Sequence, residues 1–337
     1  MSAEYFHWGI LGPGRIAYSF ADGVRVVLGA DVYAIGSRSQ ERAKSFAEYY
    51  SAPKAYDSYE ALVNDPDVDA VYIATPHRFH FENAMLCLNA GKPVLCEKPL
   101  TVNAAQARTL FEAARAKNLF LMEGMWSRYF PLYQQVRQWV DAGEIGTIRL
   151  ITSTFGSRVP RNLEDRLLNH DLAGGALLDI GVYNVALSQW ILGGKNPVSF
   201  TAYSNLGETN VDELTSVSLA YDDGSVSQFT CTLQAPCGND IFIYGTQGHI
   251  HVHPPIWAST RATLVKLGPA TQEGAVQELT VTLPFRSSGF EYEIEDAMHC
   301  IRLGQLESPS MTHADTLANL DLMDQIRARV GLKYSFE

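Results

Sequence analysis

Cysteine is scarce in this chain, and nothing in its spacing pairs it. Cys87, Cys96, Cys231, Cys237 and Cys300 form an odd set without a Cys-x-x-Cys pair. That pattern speaks against a disulfide framework or a zinc centre and for reduced thiols in a cytoplasmic protein. No apolar run approaches the ~20 residues that cross a bilayer, so no membrane partner is expected. Basic residues are the minority: 26 Lys and Arg against 37 Asp and Glu leave a net charge of −11. A nucleic-acid partner needs a basic face, so none is expected. The opening MSAEYFHWGILG puts no basic stretch and apolar core before a small-residue cleavage site, so no secretory signal is expected. Internal repeats, low-complexity tracts and charge blocks are also missing.

What is present is an ordinary globular composition, 46% hydrophobic and 19% charged over 337 residues, enough for two domains with separate cores. The first third alternates strands and helices. Strands are expected at 7–11, 31–36, 70–74, 93–97 and 119–123, and helices at 15–28, 40–50, 79–90 and 103–117. This rhythm implies right-handed crossovers and a doubly wound parallel sheet, a Rossmann domain over residues 1–125. From residue 126 to 337 the strands follow one another, at 146–156, 199–205, 213–221, 225–233, 240–244 and 248–252. Asp222-Asp223-Gly224 sits where a hairpin turn belongs. Helices are expected at 132–142, 176–192, 292–303 and 313–329. The fold class is therefore α/β plus α+β, the second domain built on a large, mostly antiparallel open sheet.

Gly12-Pro13-Gly14-Arg15-Ile16-Ala17 follows the first strand and opens a helix. The first glycine permits a tight turn and the second lets backbone amides approach a pyrophosphate. Ala17 lets the helix pack closely, and its N-terminus faces the phosphate charge. Gly12, Gly14, Arg15 and Ile16 are thus cofactor-site candidates. An NAD site would carry Asp or Glu at the end of the second strand to accept from the ribose hydroxyls. Here stand Ser37-Arg38-Ser39, with Arg42 a turn later. A guanidinium suits a 2′-phosphate, and NADP is the expected cofactor; the bland reading of Arg38 is a solvated side chain after a strand.

Four segments together resemble the glucose–fructose oxidoreductase, inositol dehydrogenase and MocA family: GPGRIA, ATPHRFH (74–80), Glu97-Lys98-Pro99, and GGALLDIGVY (174–183). MEGMWSRYFP (122–131) and the Tyr ending of the last motif resemble the dihydrodiol and xylose dehydrogenase branch. The resemblance implies hydride transfer between the cofactor and a hydroxyl or carbonyl carbon of a sugar, polyol or vicinal diol. It casts Tyr183 as proton donor or acceptor, Lys98 as the cation that stabilises the oxygen's developing charge and lowers the Tyr183 pKa, and Asp179 as the residue that orients them. It also implies a cis Lys98-Pro99 bond, and adds Thr75, His77, His80, Glu97 and Lys98 to the cofactor site.

Residue chemistry agrees in kind. Alcohol oxidation needs a base for the hydroxyl proton, a lysine at a strand's carboxyl end lies where open α/β sheets bind ligands, and residues four apart share a face of a helix. Trp126 and Arg128 either line the substrate pocket or pack at the domain junction; Arg158, Arg161 and Asn162 are further substrate candidates. His249, His251 and His253 share one face of a strand, but are spaced widely for one ion, so no metal is expected. An apolar sheet face needs covering, and the resemblance suggests a second copy, a homodimer or homotetramer, with Phe229, Phe242 and Tyr244 as candidates. The alternative function is a non-catalytic NADP-binding sensor, which would be expected to lose Lys98 or Tyr183.

Overall fold

The computed structural model describes residues 5–268 and 276–337. Two compact units emerge, one of the residues through Trp126 with Arg286–Leu317, the other of Ser127–Phe285 with Ala318–Glu337. The return segment Arg286–Leu317 thus packs with the first unit, whereas the sequence division placed it in the second.

The first unit runs β1 (Phe6–Leu11), α1 (Arg15–Val24), β2 (Ala30–Gly36), α2 (Gln40–Tyr50), β3 (Lys54–Tyr56), α3 (Tyr59–Val63), β4 (Ala70–Ile73), α4 (His80–Asn89), β5 (Val94–Glu97), α5 (Ala104–Lys117) and β6 (Leu121–Gly124). Its six strands are all parallel in the order β3-β2-β1-β4-β5-β6. The order reverses between β1 and β4, the place where doubly wound sheets take their ligands. β4, β5 and β6 are buried at every position, as strands with both faces covered must be. α1 presents Ala17, Phe20, Ala21 and Val24 inward, a three-and-four spacing that makes one apolar stripe. It stops at Val24, not at the expected Leu28: β-branched Val26 and Val27 suit a helix poorly, Gly29 takes a left-handed φ of +72°, and Leu28 is left exposed. The short β3 and α3, absent from the sequence reading, fill the edge beside β2.

The second unit holds α6 (Pro131–Asp141), β7 (Ile148–Gly156), a π turn (Leu177–Gly181) continuing into α7 (Val182–Ile191), then β8 (Ser199–Leu206), β9 (Asp212–Ala220), β10 (Val226–Thr232), β11 (Ile241–Gly245), β12 (Gly248–Val252), β13 (Arg261–Leu267) and β14 (Val276–Thr282). α8 (Glu291–Arg302) follows in the first unit, and α9 (His313–Val330) closes the chain. The eight strands run β14-β13-β12-β11-β7-β10-β9-β8, antiparallel throughout except for the parallel pair β7 and β10. The Asp222–Gly224 turn joins β9 to β10, Gly224 with φ +77°. β13 and β14 escape the sequence reading; in β14 Gln277 to Thr280 are all exposed, so no buried alternation marks the strand.

α7 and the π turn pack on β7 and β10, over Ile151, Phe229 and Cys231. On the opposite face a single registered row crosses all eight strands: Thr201, Ser218, Gln228, Thr152, Phe242, His251, Thr263 and Thr280. This face is rich in hydroxyls and amides, not the apolar surface expected. Phe229 is buried on the helix-covered side, and Phe242 and Tyr244 alone of the three expected aromatics belong to the open face. No described helix is long and apolar enough to cross a membrane.

Candidate active site

The glycine turn forms because Gly12 adopts φ +84°, and a Cβ there would lie 2.9 Å from Thr75 Cγ2. Gly14 N donates to Gly12 O at 2.7 Å and Ala17 N to Gly14 O at 3.1 Å, which folds the turn onto the start of α1. That start has no side-chain cap and no acidic residue in its first turn. Its amides and the positive end of the helix therefore face outward, an arrangement suited to a pyrophosphate. Arg15 and Ile16 are exposed beside it.

At the end of β2, Ser37 is buried and its Oγ accepts from Ser39 N at 3.2 Å. Ser39 caps α2 by accepting from Arg42 N. Arg42 Nη2 donates to Pro13 O at 3.2 Å, so this guanidinium is tied to the glycine turn itself. Arg38 is exposed and lies over the Phe79 ring, 5.9 Å from its centroid. Two cations and two hydroxyls gather where an NAD site would place a carboxylate, and this donor set fits a cofactor bearing an extra phosphate.

The ends of β4 and β5 are tied together by His80. This residue is 1% exposed, with Nε2 2.8 Å from Thr75 O and Nδ1 2.8 Å from Pro99 O. Asn83 Nδ2 donates to Thr75 Oγ1 at 3.0 Å. His77 is also buried, its ring edge-on to His80. Glu97 is buried, accepting from Tyr72 Oη at 2.6 Å and from Lys98 N at 3.2 Å. Tyr72 in turn stacks on Phe20 at 3.7 Å between centroids. Burial and the Glu97 charge push the Tyr72 phenol well above its ordinary value, so Tyr72 is the donor of this bond. The Lys98-Pro99 bond is cis, as the resemblance implied. Leu100 N donates to the buried Glu123 at 3.0 Å, which also accepts from Thr316 Oγ1, so the loop carrying Lys98 is anchored on both sides.

In the second unit, Tyr183 is buried near the start of α7, its ring 5.8 Å from that of Phe155. Asp179 stands in the π turn before it. The expectation of one regular helix over 176–192 is corrected here, and the four-residue spacing of Asp179 and Tyr183 is not that of an α-helical face. Arg166 Nη1 donates to Asp179 Oδ1 at 2.7 Å; no pattern in the sequence marked Arg166, since the pair spans thirteen residues of irregular chain.

The proposed substrate residues scatter. Trp126 packs on Phe290 in the first unit. Arg128 is buried, its guanidinium over Trp190, and Arg158 is exposed. Arg161 is held by Glu213 and by Glu208, and Asn162 Oδ1 accepts from Glu164 N within its own turn. His251 is stacked on Phe242 and pairs with Asp240 at 3.0 Å, and His253 Nε2 lies 2.8 Å from Thr263 Oγ1. Among the described residues, no three metal-ligating side chains converge.

Residues 6–125 match the oxidoreductase family with an NAD-binding Rossmann fold, and residues 133–251 match the GFO/IDH/MocA C-terminal domain. The trans-1,2-dihydrobenzene-1,2-diol dehydrogenase of Xenopus laevis is 38% identical, covering 97% of this chain and 98% of that protein. The enzyme of the same name from Homo sapiens is 34% identical, covering 97% of both. A solved structure of a 3-ketoreductase from Actinomadura kijaniata, in complex with NADP and TDP-benzene, superposes with a TM-score of 0.86 at 28% identity, covering 97% of this chain and 98% of that one. Glycine turn, Lys-cis-Pro loop and Tyr183 helix all fall within these matches, and the chain belongs to the GFO/IDH/MocA family of oxidoreductases.

Proposed function

We propose that the chain is an NADP-dependent dehydrogenase that moves a hydride between the nicotinamide and a CH–OH carbon of a sugar, polyol or vicinal diol. The observation that carries the reading is the presence of both parts in one chain: Lys98 on its anchored loop, and Tyr183 behind an ion-paired Asp179. A sensor that had abandoned chemistry would have no need of either. The 38% identical diol dehydrogenase and the NADP-bound ketoreductase support the substrate class and the cofactor.

When bound, the nicotinamide supplies the hydride acceptor or donor. The amides of the Gly12–Gly14 turn and α1 hold the pyrophosphate, while Arg38 and Arg42, with the hydroxyls of Ser37 and Ser39, hold the 2′-phosphate. Thr75, His77, His80 and Glu97 shape the nicotinamide end. Tyr183 takes the hydroxyl proton in oxidation and returns it in reduction, Lys98 stabilises negative charge on the reacting oxygen, and Asp179 orients the tyrosine. Substrate contacts are proposed for Trp126, Arg128, Arg158 and Arg161.

The open sheet face, with its registered row of hydroxyls and Phe242, is proposed to pair with a second copy in a homodimer or homotetramer. All five cysteines are unpaired, four of them buried, in keeping with a cytoplasmic location. The test is an absorbance assay of nicotinamide oxidation state over aldoses, polyols, vicinal diols and dicarbonyl compounds, with NADP(H) and NAD(H) in parallel. Turnover of one group with NADP(H) is expected; tight NADP(H) binding without turnover on any of them would favour the sensor.

A further inference from the structure

Asp212 opens β9 and is fully buried. Its Oδ2 accepts from Leu177 N at 2.8 Å and from Thr215 Oγ1 at 2.7 Å. Leu177 is the first residue of the π turn that contains Asp179, and α7 with Tyr183 follows directly. The turn has no side-chain cap of its own, so the carboxylate of a distant strand does the work of one. The other oxygen, Oδ1, has no hydrogen-bond partner and points at Gly175. A Cβ on Gly175 would collide with it, and Gly175 takes φ +129°.

We infer that Asp212 is the positioning residue of the proton-transfer helix: its carboxylate pins the first amide of the π turn and so fixes where Asp179 and Tyr183 stand. Gly175 is glycine because the anchoring carboxylate occupies the space of its side chain. This inference rests on Tyr183 being the proton-transfer group. π turns are rare and are frequent at functional sites. Here the turn is contacted from outside by a named carboxylate thirty-five residues away in sequence.

The groups around Asp212 set its titration. Arg327 of α9 lowers it, as do the bonds from Thr215 and Leu177, yet burial dominates and pushes it up to about 6. Tyr334, whose hydroxyl donates to Gly174 O at 2.7 Å, and Cys231 of β10 also face it, and both are themselves pushed well up by burial. Below pH about 6 the anchor is therefore a neutral acid, a weaker acceptor than the carboxylate. Turnover is expected to fall as pH drops through that value.

Asp212→Ala, Asp212→Asn and Gly175→Ala test this. Asp212→Ala is expected to lower kcat by about 10²-fold, the cost of ångström-scale misplacement, with the NADP(H) dissociation constant unchanged. Asp212→Asn keeps an oxygen for Leu177 N but, like the protonated acid, is a neutral and weaker acceptor; its kcat is expected to stay level across pH 6 and to match the wild type's value on the acidic side. Gly175→Ala is expected to reproduce the kcat loss, and the double variant Gly175→Ala/Asp212→Ala to be far less than additive. Unchanged kcat in Asp212→Ala, or equal loss of kcat and cofactor affinity, overturns the role. Hydrogen exchange at the Leu177 amide reads the anchor without any substrate, and so separates its failure from that of the enzyme reading. Protection in the wild type and in Asp212→Asn, lost in Asp212→Ala, supports it; equal exchange in all three overturns it.

Discussion

Arg166 donates to Asp179 across 2.7 Å, tying the irregular segment before Gly174-Gly175 to the π turn that precedes Tyr183. The arginine side chain is 39% exposed and the aspartate 12%. Water screens the pair from the arginine's side, so its worth is that of a partly exposed ion pair, at most about 1 kcal/mol. Arg166→Ala is expected to cost a few degrees of melting temperature at most, by scanning calorimetry, and to reduce kcat roughly tenfold by loosening Asp179. Arg166→Lys should recover part of the turnover, because charge returns without the guanidinium's planar geometry. A kcat equal to wild type in Arg166→Ala would remove the pair from the machinery.

The parts of this protein that were legible in sequence are those whose cause is local. The Gly12–Gly14 turn and the α2 limits follow from residues within a few positions of one another. The π turn does not, because what holds it is Asp212 on another strand. Arg166 was missed for the same reason. β13 and β14 carried no clean buried alternation, and Phe229 could not be assigned a face until the register with Val217 and Ser153 was known. Alternation says that two faces exist and leaves open which one the helix covers.

Tyr183 and Phe155 lie with their rings 5.8 Å apart, so Tyr183→Phe preserves the packing and removes only the hydroxyl. The variant is expected to lose about 10²–10⁴ in kcat, the usual range for a missing general acid or base, with the NADP(H) dissociation constant kept. Pre-steady-state single turnover separates the chemical step from release. Near-normal single-turnover rates would assign the proton to another group.

Arg38 and Arg42 are expected to behave differently although both end near β2. Arg38 lies over Phe79, and Arg42 is bonded to Pro13 O of the glycine turn. Arg38→Ala should weaken NADP binding by about 10- to 100-fold, the value of charge-assisted hydrogen bonds, and leave NAD almost unchanged. Arg42→Ala should weaken both cofactors, because it also loosens the turn that receives the pyrophosphate. Isothermal titration with each nucleotide decides it; equal losses for both cofactors in Arg38→Ala would refute the phosphate role.

Glu293 of α8 is fully buried, and neither of its carboxyl oxygens has a hydrogen-bond partner. Burial, then the charges of Glu97 and Asp296, push it well above the ordinary carboxylate range. The neighbouring Glu97 already accepts from Tyr72 and Lys98 N, so the negative charge belongs there and the proton on Glu293. Because the folded-state value is raised, the contribution of Glu293 to stability is complete below the unfolded carboxylate's value. It is lost as pH rises through the folded one. Glu293→Gln carries the neutral shape at every pH and has nothing to lose. Its melting temperature should therefore match wild type most closely at acid pH and exceed it by a margin that grows as pH rises. A margin independent of pH would mean that Glu293 does not bind a proton on folding, and that the charge in this buried cluster is arranged differently.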